Sequence, residues 1–155
     1  MEKDTKSDTN AVMKNPDGLI VADATNQIAG RLASRTAKKL LKGSRVLIVN
    51  AENAVVSGNP VSTAKLYDER IKRGDPYHGP FHSRMPDRML KRMIRGMLPY
   101  KKATGKNAFK RLSVYISVPE ELKGRETKLT DEQALENKFT TLGELALKLG
   151  AKKTW

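Results

Sequence analysis

Two apolar runs with an amphipathic segment between them place the strongest constraint on how this chain can fold. The runs at 19–22 and 46–49 are short and do not alternate with polar residues, which predicts buried strands. Apolar residues recur at helical spacing over 28–42, and Gly43 follows where a helix C-cap is expected. Strands without alternation are typical of parallel sheets covered on both faces. Residues 19–49 therefore predict a strand–helix–strand crossover within an α/β fold.

The remaining elements are predicted from the same kinds of signal. Asn59 and Pro60 supply an N-cap side chain and a proline at the first helical position, so a helix is expected from there to about Arg73. Gly and Pro make 74–82 irregular, and 100–110 is expected to be a basic loop. The other predicted elements are a strand at 53–56, a helix at 86–96, a strand at 112–118 and an amphipathic helix containing Leu142, Leu145, Ala146 and Leu149.

The chain of 155 residues is expected to form one domain with polar extensions. Residues 1–17 predict a disordered tail, and 18–119 predict an α/β domain whose basic extension is 70–111. Residues 120–155 predict a C-terminal segment whose helix packs on that domain. The chain has no cysteine, which excludes disulfides and thiolate metal sites. Neither a signal-peptide core nor a membrane-spanning run is visible, so the cytoplasm is the expected location.

Net charge is concentrated in residues 70–111. This segment holds 13 Lys and Arg against 2 Asp and Glu, a net of +11, whereas the whole chain carries +13. Residues 1–69 carry only +2, and 112–155 carry no net charge. Such local self-repulsion indicates an anionic partner that neutralises it. Nucleic acids and acidic membranes are the largest common polyanions.

The predicted helix at 86–96 has one apolar and one cationic side. Its apolar stripe, which we expect to pack into the core, contains Met89, Leu90, Met93, Ile94 and Met97. The cations on and next to its other side are Arg84, Arg88, Lys91, Arg92 and Arg95. Like charges one turn apart cost roughly a few tenths of a kcal/mol per pair, which a bound anion would reverse. A merely solvated basic face is the alternative, and the further cations on both sides of the helix argue against it.

Four aromatic residues lie among these charges. Tyr77 and Tyr100 are flanked by proline and charge and are expected to be exposed, whereas Phe81 and Phe109 are expected to pack into the body. Rings beside Lys and Arg suit RNA, because unpaired bases stack on aromatic faces while the cations meet phosphates.

Other functions remain open from the residues alone. His78 and His82, with Asp75, could suggest a metal or acid–base site, but Pro and Gly forbid a helix there, so hydrogen bonding to RNA or a structural role is expected. The turn at 23–30 leads into a helix N-terminus, where phosphates often bind. It lacks the glycine-rich phosphate-binding motifs, and we expect a capped turn with close packing at Gly30. A nucleotide-binding or nucleic-acid-processing enzyme using this turn is kept as the alternative function.

A membrane-surface protein is a further alternative. The apolar stripe of the 86–96 helix is Met-rich and lacks Trp, and the charges extend well beyond that helix. Both features disfavour an interfacial membrane helix.

Several separated motifs lie between about Leu19 and Pro119. They are Asp23-Ala24, Gly30-Arg31-Leu32-Ala33-Ser34, Val49-Asn50-Ala51-Glu52, Ile94-Arg95-Gly96-Met97-Leu98-Pro99, Gly105-Lys106 and Leu112-x-Val114-Tyr115. In sequence and order these motifs resemble the ribosomal protein L-thirteen family of the large subunit. The compact His78-Gly79-Pro80-Phe81-His82 resembles the archaeal branch. Ser117 departs from the pattern, because the family usually has a glycine there, which would permit positive φ or a close approach.

The resemblance implies a three-layer α/β/α fold with a small, mainly parallel sheet of about four strands and a basic helix-loop extension. It implies a structural protein, not an enzyme, that uses no cofactor or metal and binds and orders large-subunit rRNA during assembly. The implied partners are this rRNA and neighbouring large-subunit proteins in the cytoplasmic ribosome, without a membrane or a small-molecule substrate.

The implied RNA-contacting region is 70–111, and charge and pattern predict the individual residues. We expect the loops at 74–84 and 100–110 to be unordered without RNA. The predicted RNA-binding residues are Arg70, Lys72, Arg73, Tyr77, His78, His82, Arg84, Arg88, Lys91, Arg92, Arg95, Tyr100, Lys101, Lys102, Lys106, Lys110 and Arg111.

Overall fold

A computed structural model describes residues 19–75, 77–123, 129, 137–153 and 155. The predicted tail at 1–17 lies outside the described residues. Within them the chain forms helices α1 (Ala29–Leu41), α2 (Pro60–Lys72), α3 (Pro86–Gly96), α4 (Ala103–Lys110) and α5 (Leu142–Lys148). The strands are β1 (Leu19–Asp23), β2 (Arg45–Val49), β3 (Val55–Ser57), β4 (Leu112–Val114) and β5 (Phe139–Thr141).

A parallel sheet with β2 at its centre organises the fold. β1 and β4 flank β2, and both pair with it in parallel, with Val46 opposite Ile20 on one side and Leu112 on the other. The predicted crossover, β1–α1–β2, and the α/β class are therefore confirmed. This sheet has three strands rather than about four, because β3 pairs with β5 in a separate antiparallel ribbon.

The two faces of the sheet contribute to different hydrophobic clusters. Side chains alternate along a strand, so Val46 and Ile48 join the main core, to which all the described helices contribute. Leu47 and Val49 face the other way and pack with Leu122. The expected three-layer fold has helices on both faces of the sheet. In the described residues, helices cover one face, and the 3₁₀ turn Glu120–Leu122 lies on the other.

Several predicted helix boundaries are confirmed. Asn59 caps α2, because its side-chain Oδ1 accepts a hydrogen bond of 3.0 Å from Val61 N. Gly43 follows α1 with φ of +100°, the left-handed conformation that favours glycine at this position. The prediction for Gly30 is wrong, because this residue is exposed and a Cβ added there would meet no atom within 4 Å.

The predicted basic loop at 100–110 is wrong over most of its length, because it contains α4. Gly105 and Thr104 are poor helix formers and weaken the helical signal. The helix forms because Ala108 is buried in the main core and Phe109 packs against it.

The C-terminal segment is more structured than its polar sequence predicts. The described part includes β5, which the sequence gives no reason to expect. The predicted last helix is confirmed as α5, whose Leu142, Leu145 and Ala146, together with Leu149 just beyond it, are buried in the core. Thr141 caps it through a capping box with Glu144.

The predicted strand at 112–118 is shorter than expected, because β4 ends at Val114 and Ser117 lies in the irregular segment after it. The φ of Ser117 is +57°, in the left-handed region, and its N–H donates to the buried Glu52 carboxylate over 3.2 Å. Its carbonyl accepts from Asn50 N at 3.3 Å, so the backbone here still lies beside the end of β2.

We predict that Ser117→Gly stabilises the protein by up to about 1 kcal/mol. Removing Cβ relieves roughly 1–2 kcal/mol of left-handed strain, and the greater freedom of glycine in the unfolded chain offsets about 0.5–1 kcal/mol of that gain. Urea unfolding measures the change. Ser34→Gly, on the exposed face of α1, is the control and should lower the unfolding free energy by about 0.5 kcal/mol. Equal destabilisation by both substitutions would contradict the strain at Ser117.

Candidate nucleic-acid interface

Helix α3 holds the basic surface against the core. Its Met89, Leu90 and Ile94 are buried in the main cluster, as the apolar stripe predicts, and Met93 packs at its edge. The prediction is wrong for Met97, which is 44% exposed because it lies beyond the last turn of the helix. The opposite side of the helix presents the cations Arg88, Lys91, Arg92 and Arg95.

Two aromatic rings lie between two of the α3 cations. The Arg95 guanidinium lies 5.3 Å from the centre of the Tyr100 ring, and Lys91 Nζ lies 5.6 Å from the centre of the Phe109 ring. The two rings meet edge to face, 5.4 Å apart. We call these four residues the cation–aromatic cluster. Lys91 and Arg95 are one helical turn apart and therefore repel each other. Each of them also has a favourable contact with an aromatic ring, and these contacts offset the repulsion.

The cluster borders an open concave surface of about 660 Å³. It is lined by Arg95, Gly96, Leu98, Pro99, Tyr100, Lys101 and Lys102. Gly105 of α4 packs directly against the backbone of the Pro99 loop. A Cβ at this position would overlap the Pro99 carbonyl group and lie 2.9 Å from Tyr100 N. The surface therefore joins three exposed cations to an aromatic ring at a fixed bend of the chain.

A second cavity, of about 170 Å³, joins the end of α2 to α3. Arg70, His82, Arg88 and Arg92 meet around it, and Tyr67 lies under the Arg70 guanidinium at 5.5 Å. The pKa of His82 is lowered from its usual 6.5, first by burial and then by the positive charges of Arg92 and Arg70. All three effects disfavour the protonated ring. The neutral imidazole is therefore favoured beside three cations.

Phe81 does not pack into the body as predicted. Its ring is 70% exposed, and the body holds its backbone instead, since Arg92 Nη1 donates to the Phe81 carbonyl over 2.8 Å. The other three aromatic predictions are confirmed. Tyr77 is 88% exposed, Tyr100 is exposed beside the concave surface, and Phe109 packs against the core.

The structure does not bring all the predicted residues into the two cavities. Lys72 pairs with Asp68 at 2.6 Å, and His78 lies 3.5 Å from Asp75 in an exposed turn that also carries Tyr77. The predicted residues that are exposed are Arg70, Lys72, Arg73, Tyr77, His78, Arg84, Arg88, Arg95, Tyr100, Lys101, Lys102, Lys106 and Lys110. Those that are half-buried are His82, Lys91, Arg92 and Arg111.

The turn at 23–30 uses its carboxylate internally. Asp23 Oδ1 accepts hydrogen bonds from Thr25 N at 3.0 Å, Thr25 Oγ1 at 2.8 Å and Asn50 Nδ2 at 2.9 Å. These bonds tie the end of β1 to the end of β2, which is a structural role. Among the described residues, no group of three or more His, Asp or Glu side chains is arranged to hold a metal ion.

The helices are shorter than a membrane span. Within the described ranges, none is long and apolar enough to cross a membrane.

Sequence reasoning missed a second group of cations, on α1. Its exposed side carries Arg31, Arg35, Lys38, Lys39 and Lys42. The total for residues 1–69 conceals them, because acidic residues before 24 and after 51 cancel their charge. A charge count over a shorter window would have found them.

Fold and surface together define a small, basic α/β protein that presents cations and aromatic rings from one anchored helix and its flanking loops. The family model of ribosomal protein L13 matches residues 17–121. The chain belongs to the ribosomal protein L13 family, which is a family of ribosomal proteins and not of enzymes.

Curated relatives match along most of the chain and carry the name large ribosomal subunit protein uL13. The protein from Methanosarcina barkeri is 48% identical over 139 residues, which cover 86% of this chain and 99% of that protein. That from Archaeoglobus fulgidus is 43% identical over 139 residues, covering 86% and 89%. That from Haloarcula marismortui is 41% identical over 140 residues, covering 90% and 96%. The resemblance to the archaeal branch is thereby confirmed.

We predict that Gly105→Ala destabilises the protein by about 1–3 kcal/mol, as overpacking typically does. The added methyl group collides with the backbone at Pro99, so α4 and the Pro99 loop must move relative to each other. Thermal unfolding measures the loss. Gly96→Ala is the matched control: it meets no atom within 4 Å at the end of α3, and alanine should be neutral or stabilising by up to about 1 kcal/mol. Equal melting temperatures for the two variants would contradict the predicted collision.

We predict that His82 titrates below pH 6.5 in the folded protein, because burial and its two arginine neighbours lower its pKa. NMR titration of the ring protons measures the midpoint. Arg92→Gln keeps an N–H donor for the Phe81 carbonyl but removes a charge, so it should move the midpoint part of the way back up. Arg95→Gln is the control and should leave it unchanged. A wild-type midpoint at or above 6.5 would contradict the assignment.

Proposed function

We propose that this protein is a structural component of the large ribosomal subunit that binds and orders rRNA during assembly. The surface used is the 70–111 segment, and the protein acts in the cytoplasmic ribosome beside neighbouring large-subunit proteins. The observation that carries the proposal is helix α3, which buries Leu90 and Ile94 in the core and presents its cations outward. Membership of a ribosomal protein family supports the same conclusion.

The arrangement suits an RNA backbone better than a small ligand. Arg84, Arg88 and Arg95 are exposed, and guanidinium groups grip phosphate oxygens through paired hydrogen bonds. The α/β body restricts how far α3 can move, so Arg88 and Arg95 are positioned before RNA arrives. Binding then requires less ordering than it would for cations on a flexible tail.

The exposed rings add a second kind of contact. Tyr77 and Phe81 project from the loop before α3, and Tyr100 borders the concave surface after it. Unpaired bases stack on such rings, and each stacked base contributes about 1–3 kcal/mol. Phosphate contacts along α3 with stacking at either end would fix a folded RNA segment rather than a free strand, which is what ordering rRNA requires.

We predict that Arg84, Arg88 and Arg95 together replaced by Gln weaken binding to deproteinised large-subunit rRNA and reduce its salt dependence. Each lost phosphate contact lowers the slope of log affinity against log salt by about 0.7–0.9, so three contacts remove about 2–3 from the slope. If the wild type neutralises six to ten phosphates, its affinity should fall about 10³–10⁵-fold between 50 and 200 mM salt. Filter binding across this range gives both values.

The control removes the same charge elsewhere. Lys148, Lys152 and Lys153 are exposed and lie outside the 70–111 segment. Replacing these three by Gln should reduce affinity much less than the arginine variant does. If the two variants lost affinity equally, the binding would be non-specific charge attraction, which would contradict the proposed surface. A wild-type affinity that does not change with salt would refute the proposal.

A further inference from the structure

Helix α1 carries a second cationic surface outside the 70–111 segment. We call Arg31, Arg35, Lys38, Lys39 and Lys42 the α1 basic face. All five are exposed, while the opposite side of the helix is buried through residues such as Leu32 and Leu40. No Asp or Glu occurs between residues 24 and 51, so no acidic residue of this stretch offsets these charges.

Helix stability alone does not explain this face. Lys38 and Lys39 lie in the last turn of α1, where the helix dipole favours cations, but Arg31 lies in the first turn, where the dipole disfavours them. The spacing also places like charges one turn apart, as for Arg31 with Arg35 and Lys38 with Lys42, which is unfavourable in an isolated helix. An external polyanion removes both penalties.

The α1 basic face is continuous with the end of the 70–111 segment. Arg111, the last cation of that segment, donates from Nη2 to the carbonyl of Leu40 over 2.8 Å. It therefore lies against the C-terminal turn of α1, beside the lysines of the face. Helix α1 also packs directly on α3 and α4. The end of the 70–111 segment is therefore in direct contact with the C-terminal turn of α1.

The lysines of this face border an open groove of about 680 Å³. It is lined by Arg35, Lys38, Lys39, Leu41, Lys42 and Leu129. Arg35 is held there, because its Nη1 donates to the Leu129 carbonyl over 2.8 Å. The remaining cations are lysines, which act as adaptable point charges for phosphates rather than as fixed forks. This composition suits contact with an RNA backbone and not the reading of base edges.

We infer that the α1 basic face is a second RNA-binding surface, which contacts rRNA phosphates and extends the 70–111 surface around the protein. The inference rests on the proposed function, because both surfaces then bind one rRNA. The occupant is RNA and not an acidic protein segment, since the face adjoins the surface proposed above for RNA and offers lysine charges on both sides of an exposed Leu41.

The test replaces Lys38, Lys39 and Lys42 by Gln and measures binding of the full chain to deproteinised large-subunit rRNA. We expect the dissociation constant to rise about tenfold or more and the salt slope to fall by about 2–3, as for three lost phosphate contacts. When these substitutions are combined with the Arg84, Arg88 and Arg95 variant, the two losses should multiply. The Lys148, Lys152 and Lys153 variant is again the matched control for charge.

The outcomes separate this inference from the function on which it rests. If the lysine variant binds like the wild type while the arginine variant is weakened, the second surface is refuted and the proposed function stands. If neither variant is weakened, the proposed function fails as well. Thermal unfolding identifies a variant that has lost its fold.

A second measurement does not depend on the variants folding normally. A photo-crosslinking residue at Lys39 in assembled large subunits should attach to rRNA. Attachment only to a protein would overturn the inference in favour of an acidic partner.

Discussion

The packing of α3 into the core is the contact on which the rest of the structure depends. Leu90 and Ile94 are fully buried, and each contributes about 1.5–3 kcal/mol relative to exposure. Repulsion between neighbouring cations on the same helix costs only a few tenths of a kcal/mol per pair. Burial therefore exceeds repulsion, so a strongly charged helix stays in a defined orientation. The protein can keep its cations close together because the core, and not the solvent-facing side, fixes the helix.

Aromatic residues extend this support to the region after α3. Phe109 and Tyr100 lie between Lys91 and Arg95, and contacts of this kind contribute about 0.5–1 kcal/mol each at exposed sites. They bring α4 and the Pro99 loop against α3, so the helix and the loop form one unit. The Tyr100 ring has two roles: it offsets the repulsion within the protein, and it remains exposed beside three cations.

The elements that could be predicted are those with local signals. The crossover at 19–49 and helix α3 show clear apolar periodicity, and caps such as Asn59 mark where helices begin. Helix α4 escaped prediction because Gly105 and Thr104 disfavour helix locally, and contacts with the Pro99 loop and the core decide the outcome. Strand β5 has three residues and forms by pairing with a distant strand.

The basic surface, too, was only partly predictable from the sequence. The charge of 70–111 is visible in any count, whereas the α1 basic face disappears in a sum over 69 residues that also contains the polar tail. The exposure of Phe81 was missed because residue type favours burial, whereas in the structure the contact from Arg92 is to the Phe81 backbone and the ring stays exposed.

The C-terminal helix has a consequence for biosynthesis. Leu142, Leu145 and Leu149 fill the same core as α1 and α3, and β5 pairs with β3, which lies more than 80 residues earlier. A nascent chain that has emerged only as far as β4 already carries the whole 70–111 segment, but its core is still open on one side. Its cations are thus available to polyanions before its fold is closed. Completion of residues 139–149 then converts a basic, partly formed chain into a rigid one.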